Sequence, residues 1–166
     1  ERLAKMIAGS KRPIILAGRG VLRSGAAPAL EALAERCGAL LATSLFAKGL
    51  FDHNRFGIGV AGAYASPFAR EEFAACDLLI GVGAGLGHYT TEAGYLYPNA
   101  KTVQIDLNPR GLYQGLRIAD MHIKADAKAT AEAVLAKLAE RKFTSAGARS
   151  PMLANQIAAT AARPDS

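Results

Sequence analysis

The chain has 166 residues, of which 51% are hydrophobic and 20% charged, and carries a net charge of +6 at pH 7. That length suits one ordinary domain, and the mean hydropathy of +0.13 excludes a disordered chain. No apolar run approaches the roughly 18 residues of a membrane helix, and the dispersed basic residues, without Trp or interleaved aromatics, argue against nucleic acid as a partner.

The opening "ERLAKMIAGSKRP" lacks the apolar core of a signal peptide and reads, over residues 1–10, as the end of a preceding helix or linker. The chain is therefore expected to be an excised fragment. "PIILAG" (13–18) is the first strand, with a proline at its start. Gly25–Cys37 follows as a helix with Leu30, Leu33 and Ala34 on one face. "ALLATS" (39–44) is the second strand and the weaker "GIGVAG" (57–62) a short third. Ser66–Cys76 reads as a helix with a Ser N-cap and Pro at its first position. "DLLIGVG" (77–83), "KTVQID" (101–106) and "DMHIKA" (120–125) complete the strands. Asp126–Arg141 is a helix that starts on an Asp cap and carries Ala127, Ala131, Val134, Leu135 and Leu138 at helical spacing. Residues 143–166 are expected to form a linker or tail, with a weak helix over 152–162.

The strands are near-continuous apolar runs, as strands covered on both faces are. Alternation with helices predicts an α/β domain of three layers, α/β/α, around a mostly parallel sheet of about six strands. Cys37 and Cys76 lack metal-ligand or CxxC spacing and are expected as small buried hydrophobes.

In such a sheet ligands bind beyond the carboxyl ends of the strands. The residues there are Gly18, Arg19 and Gly20; Thr43, Ser44 and Leu45; Gly83, Ala84 and Gly85; Asp106, Leu107 and Asn108; and Asp126. Glycines let a phosphate or ring approach main-chain N–H groups, and the carboxylates can accept from ribose hydroxyls. The same glycines equally suit tight turns, and the aspartates suit helix caps; the residues alone leave both open. Gly57–Gly62 spells GxGxxG, but a polar turn precedes it and Asp77 starts a strand, so it is set aside as a dinucleotide fingerprint. His53, His88 and His122 have no metal-ligand spacing, and His88, in the glycine loop, is the one placed near a ligand. No nucleophile elbow, P-loop or acid–base pair is present, so no catalytic residue and no metal ligand is assigned.

The ordered segments "KRPIILAGRG", "ALLATSLFAKGLF", "GIGVAG", "CDLLIGVGAGLG" and "AKTVQIDLNP" resemble the central domain of thiamine-diphosphate-dependent enzymes, in the acetolactate synthase and benzoylformate decarboxylase branch, over about Lys11–Leu138. The resemblance implies a Rossmann-like fold for residues 11–142, taken from an enzyme that decarboxylates or carboligates 2-keto acids. It places thiamine diphosphate and Mg2+ on flanking pyrimidine- and diphosphate-binding domains, whose glutamate and GDG…N motifs are not found here, so the fragment is not expected to catalyse alone. It implies a cytoplasmic homodimer or homotetramer as the parent. Relatives hold FAD, ADP or nothing in the central domain. By position the contacts would come from Gly18–Gly20, Thr43–Leu45, Gly62 and Ala63 with Tyr64, Gly83–Gly85, Asp106–Asn108 and Ala125–Asp126. Flavin-binding relatives have an arginine where Gly85 stands here. The alternative is a stand-alone module that binds FAD, ADP or NAD, akin to electron-transfer flavoproteins or sirtuin-like folds.

Overall fold

The computed structural model describes residues 1–108, 112–113, 116–117 and 119–162. Six parallel strands form the sheet: β1 (Pro13–Ala17), β2 (Leu40–Thr43), β3 (Gly57–Val60), β4 (Leu78–Val82), β5 (Lys101–Asp106) and β8 (Met121–Lys124), in the order β3-β2-β1-β4-β5-β8. Each forms where the sequence places an apolar run. Every residue of β1, β2 and β4 is buried, which explains why those runs do not alternate. A two-residue antiparallel hairpin, β6 (Leu112–Tyr113) and β7 (Leu116–Arg117), lies in the chain between β5 and β8. Nothing in the local sequence announces it.

The helices are α1 (Arg2–Ala8), α2 (Arg19–Ser24), α3 (Ala27–Cys37), α4 (Pro67–Ala75), the single turn α5 (His88–Thr91), α6 (Ala127–Glu140) and α7 (Pro151–Ala161). Alternation along the strands divides the core in two. Ile15, Leu41, Ile80 and Val103 face a cluster with α1, α2, α3 and α6, represented by Ile7, Val21, Leu33 and Leu138. Ile14, Leu16, Leu40 and Leu79 face a second cluster with Phe73 of α4, Leu86, Leu96 and Leu153 of α7. The chain thus has an α/β/α sandwich. Ser66 and Asp126 cap α4 and α6 as expected, accepting from the N–H groups of Ala69 and Ala129.

Both terminal segments join this body. α1 buries Leu3, Ala4 and Ile7 in the first cluster. The segment 143–162, expected as a linker or tail, is laced onto the end of α3. Ser145 N–H donates to the Arg36 carbonyl (3.0 Å), and Arg149 Nε donates to the Ala39 carbonyl (2.8 Å). Gly38 ends α3 in the left-handed region (φ +76°), and a Cβ on it would stand 2.2 Å from the Ala146 carbonyl carbon. The contact therefore requires glycine. Past it, Ser150 caps α7, which buries Leu153 and Ala154. Low apolar density between residues 143 and 150 hides this docking from the sequence.

Candidate functional site

All six strands are parallel, so the predicted site residues emerge on one edge of the sheet. They do not converge on one point. Neighbouring strands stand about 4.8 Å apart, and five such intervals separate β3 from β8. Gly62 and Ala63, after β3, and Asp126, after β8, thus belong to opposite flanks.

At the centre, β1 turns toward one helical layer and β4 toward the other, the arrangement that opens a crevice in doubly wound sheets. Here the floor of that crevice is closed by main chain. Gly18 N–H donates to the Val82 carbonyl (2.9 Å), Gly20 N–H to the Gly83 carbonyl (3.0 Å) and Gly83 N–H to the Ile105 carbonyl (2.8 Å). A Cβ on Gly18 would stand 2.4 Å from the Gly83 oxygen; one on Gly20 would stand 2.8 Å from the Gly83 Cα. Gly83 itself sits at φ +59°, with Gly20 Cα 2.7 Å from where its Cβ would be. The ladder between β1 and β4 therefore runs past both strand ends.

The four alternating glycines of "GVGAGLG" divide into two pairs. Gly81 has no side chain because Leu86 folds back onto it, with a methyl 2.8 Å from the would-be Cβ. Gly83 meets Gly20. Gly85 and Gly87 face open space, with nothing within 4 Å. The loop that holds them is tied from below: Gln104, 1% exposed, donates from Nε2 to the Ala84 carbonyl (3.3 Å), and its Oε1 lies 2.9 Å from His122 Nδ1. A glutamine in the apolar run "KTVQID" was the available signal for this brace.

The flanking residues differ in role. Thr43 is 2% exposed and its hydroxyl lacks a hydrogen-bond partner among the described residues, while Ser44 is buried and donates its N–H to the Ala17 carbonyl (2.9 Å). Leu45 is half exposed and adjoins Phe46, which is 72% exposed and lies 4.2 Å beneath the Arg19 guanidinium. This cation–π pair, whose Phe46 the motif reading passed over, follows β2, and the well exposed Tyr64 follows β3. The Gly62 carbonyl accepts from Arg70 Nη2 (3.1 Å), and Arg70 grips Glu92 in a fork at 2.9 and 2.7 Å. On the other flank Asp106 Oδ1 accepts the Asn108 N–H (2.9 Å), and Asp126 Oδ2 accepts the Ala129 N–H (2.8 Å). Both carboxylates thus stabilise local backbone, and Leu107 is exposed. The expectation for the His88 side chain lies outside what is described.

Elsewhere the titratable groups read as structural. Asp77, set aside as a nucleotide acid, clasps the turn before β1 through the Ser10 hydroxyl and the N–H groups of Lys11 and Arg12. Burial pushes its carboxyl up, but these donors outweigh that and hold it below its ordinary value. Burial pushes the Cys37 thiol up and takes Cys76 to about 12. Among the described residues no group of three or more His, Cys, Asp or Glu side chains could hold a metal ion.

These observations bear on whether FAD or ADP fits. The N–H groups of Gly18, Gly20 and Gly83 are spent on protein carbonyls and cannot cradle a diphosphate, and no arginine stands at Gly85. Those three glycines do not fit that role; of the glycine loop, Gly85 and Gly87 remain open.

Comparison with known proteins accounts for this architecture. The family described as thiamine pyrophosphate enzyme, central domain, matches residues 1–134. The chain belongs to that family. Among relatives, the probable acetolactate synthase large subunit of Methanocaldococcus jannaschii is 36% identical over 140 residues, which are 83% of this chain and 24% of the relative. The acetolactate synthase large subunit of Mycobacterium tuberculosis is 33% identical over 137 residues, 81% of this chain and 22% of the relative. The sulfoacetaldehyde acetyltransferase of Roseovarius nubinhibens is 31% identical over 147 residues, 84% of this chain and 24% of the relative. The chain spans about a quarter of the length of these relatives.

Proposed function

We propose that this domain serves, within a longer acetolactate synthase-like chain, as a rigid scaffold for a thiamine-diphosphate enzyme that decarboxylates or carboligates 2-keto acids. The observation that carries the reading is the main-chain closure between Gly18–Gly20 and Gly83, in a chain that is 36% and 33% identical to two acetolactate synthase large subunits over 83% and 81% of its length. The conspicuous glycines are used to join the two halves of the sheet rather than to open them. Thiamine diphosphate, when bound, supplies the carbanion chemistry. In this reading the cofactor and Mg2+ rest on the flanking pyrimidine- and diphosphate-binding domains, and this domain supplies no catalytic side chain. The whole enzyme is a cytoplasmic homodimer or homotetramer. Among the described residues no helix is long and apolar enough to cross a membrane.

The test is to supply pyruvate, thiamine diphosphate and Mg2+ to the 166-residue chain and to the whole gene product. Acetolactate or CO2 from the whole product alone supports the reading. A whole product inert toward every 2-keto acid tried overturns it.

A second reading, FAD or ADP on this domain, is favoured by the open Gly85 and by the exposed Phe46 and Tyr64, all of which follow the carboxyl ends of strands. It extends to the stand-alone module that binds FAD, ADP or NAD. Calorimetric titration with each nucleotide tests it. Saturable binding lost in Gly85→Trp but kept in Leu138→Met, a core change on the other face of the sheet, supports it; no binding by folded protein sets it aside.

A further inference from the structure

Among the described residues three that are not glycine hold a positive φ, and two of them, Leu86 (+49°) and Glu92 (+51°), bracket the single turn α5. A β-carbon makes this region costly, so contacts elsewhere must hold each residue there. The two are held very differently. Leu86 is 3% exposed and belongs to the second core cluster, with its methyls seated on Gly81. Glu92 is gripped through its side chain by the Arg70 fork, at 2.9 and 2.7 Å, and both side chains of that pair are partly exposed. A buried leucine is a firm anchor. A partly exposed ion pair is a weak one, comparable with what the backbone at Glu92 costs. One end of the segment is thus fixed, and its middle stands close to balance.

The rest of the segment is built to swing. Leu96 and Tyr97, both buried, anchor its far end in the same cluster as Leu86. Between the anchors stand Gly87 and Gly94. A Cβ on either would meet nothing within 4 Å, and Gly94 sits at φ +89°. Glycines with empty surroundings are not there for packing; they leave the chain free to rotate at both ends of the segment. α5 itself is closed, because the Thr91 N–H and hydroxyl both donate to the Gly87 carbonyl, each at 3.1 Å. The Thr91 side chain also meets Tyr97, which is part of the segment's own anchor. α5 lies against the turn Gly62–Tyr64 that follows β3. Arg70 Nη2 donates to the Gly62 carbonyl (3.1 Å) as well as to Glu92, so one side chain of α4 fastens the segment to the turn beside it.

We propose that residues 87–94 form a strap over the carboxyl edge, latched by Arg70 on Glu92, that opens as a unit about Gly87 and Gly94 while the sheet stays folded. Release of Glu92 lets its backbone leave the left-handed region, which offsets part of the ion pair that is lost. The open glycine at 87, unexplained by packing, gains a use as a hinge. The strap is independent of the chemistry of the parent enzyme.

Native-state hydrogen exchange on the 166-residue chain, read amide by amide by NMR, tests this. The Thr91 N–H is bonded within the strap and the Leu96 N–H to the Thr91 carbonyl, whereas the Gly83 N–H is bonded within the sheet to Ile105. The strap amides should exchange at a rate that low urea leaves unchanged, because a local opening exposes little surface. The Gly83 amide should exchange faster as urea rises. Arg70→Gln should speed the strap amides by about tenfold or more, still without dependence on urea. Adding Glu92→Asn to that variant should slow them again by about threefold or more, since asparagine tolerates the left-handed region that glutamate resists. A purely structural ion pair predicts no such recovery. Strap amides that follow Gly83 in their response to urea overturn the proposal. So do strap amides unchanged in Arg70→Gln, or as fast in the double variant as in the single one.

Discussion

Gly20 and Gly83 touch through their main chains: the Gly20 N–H donates to the Gly83 carbonyl at 3.0 Å, and a Cβ on Gly83 would stand 2.7 Å from the Gly20 Cα. Gly83→Ala should therefore destabilise the domain by about 2 kcal/mol or more, through a positive φ and overpacking together. Gly85→Ala, in open space, should change stability by less than about 0.5 kcal/mol. Urea denaturation of the two variants separates them. Equal effects would mean that the contact is not the reason for glycine at 83.

The lock between Gly38 and Gly147 should be as intolerant. A Cβ on Gly147 would stand 2.4 Å from the Gly38 oxygen, and Gly147 also has positive φ. Gly147→Ala is expected to cost about 2 kcal/mol and to speed hydrogen exchange in α7 before the rest of the domain. Uniform exchange across the molecule would show that α7 does not depend on this anchor.

Asp77 makes stability depend on pH in one direction. Its folded-state carboxyl lies below its ordinary value, so the stabilisation is complete above that value and is lost as pH falls below about 4. Asp77→Ala should lower stability by about 1–3 kcal/mol near neutral pH, because three donors lose their acceptor. The gap between the two proteins should narrow in acid. A gap that stays constant down to about pH 3 would remove Asp77 from this role.

The two thiols should be silent. Cys37 and Cys76 are both 1% exposed, with burial raising each thiol above its ordinary value. At about pH 8 neither should react with a disulfide reagent in the folded protein, and both should react once it is unfolded. Prompt labelling of a folded sample would contradict the burial.

Much of the frame is legible in the chain. The apolar runs mark all six long strands, and Ser66 and Asp126 mark two helix starts, because period, caps and proline act locally. The uses of the glycines are not legible. Gly81, Gly83, Gly85 and Gly87 look alike in sequence, yet one seats Leu86, one meets a residue 63 positions earlier, and two face solvent. That division depends on which segments the sheet brings together. The docking of residues 143–162 is hidden for the same reason, since its anchors are Arg36, Gly38 and Ala39, more than a hundred residues earlier. The Asp106 and Asp126 carboxylates show the converse: their backbone partners lie two and three residues away, so the capping alternative was readable locally.

The placement of α7 also fixes an order of events during synthesis. Leu153 and Ile157 cover the cluster around Phe73 and Leu79, yet they are made more than seventy residues after them. Until α7 emerges, this side of a sheet whose six strands have already been made stays partly bare, while the helices of the other side can already be in place. The nascent chain thus passes through a stage with a greasy flank showing, which makes α7 a lid on an aggregation-prone intermediate as well as a part of the finished fold.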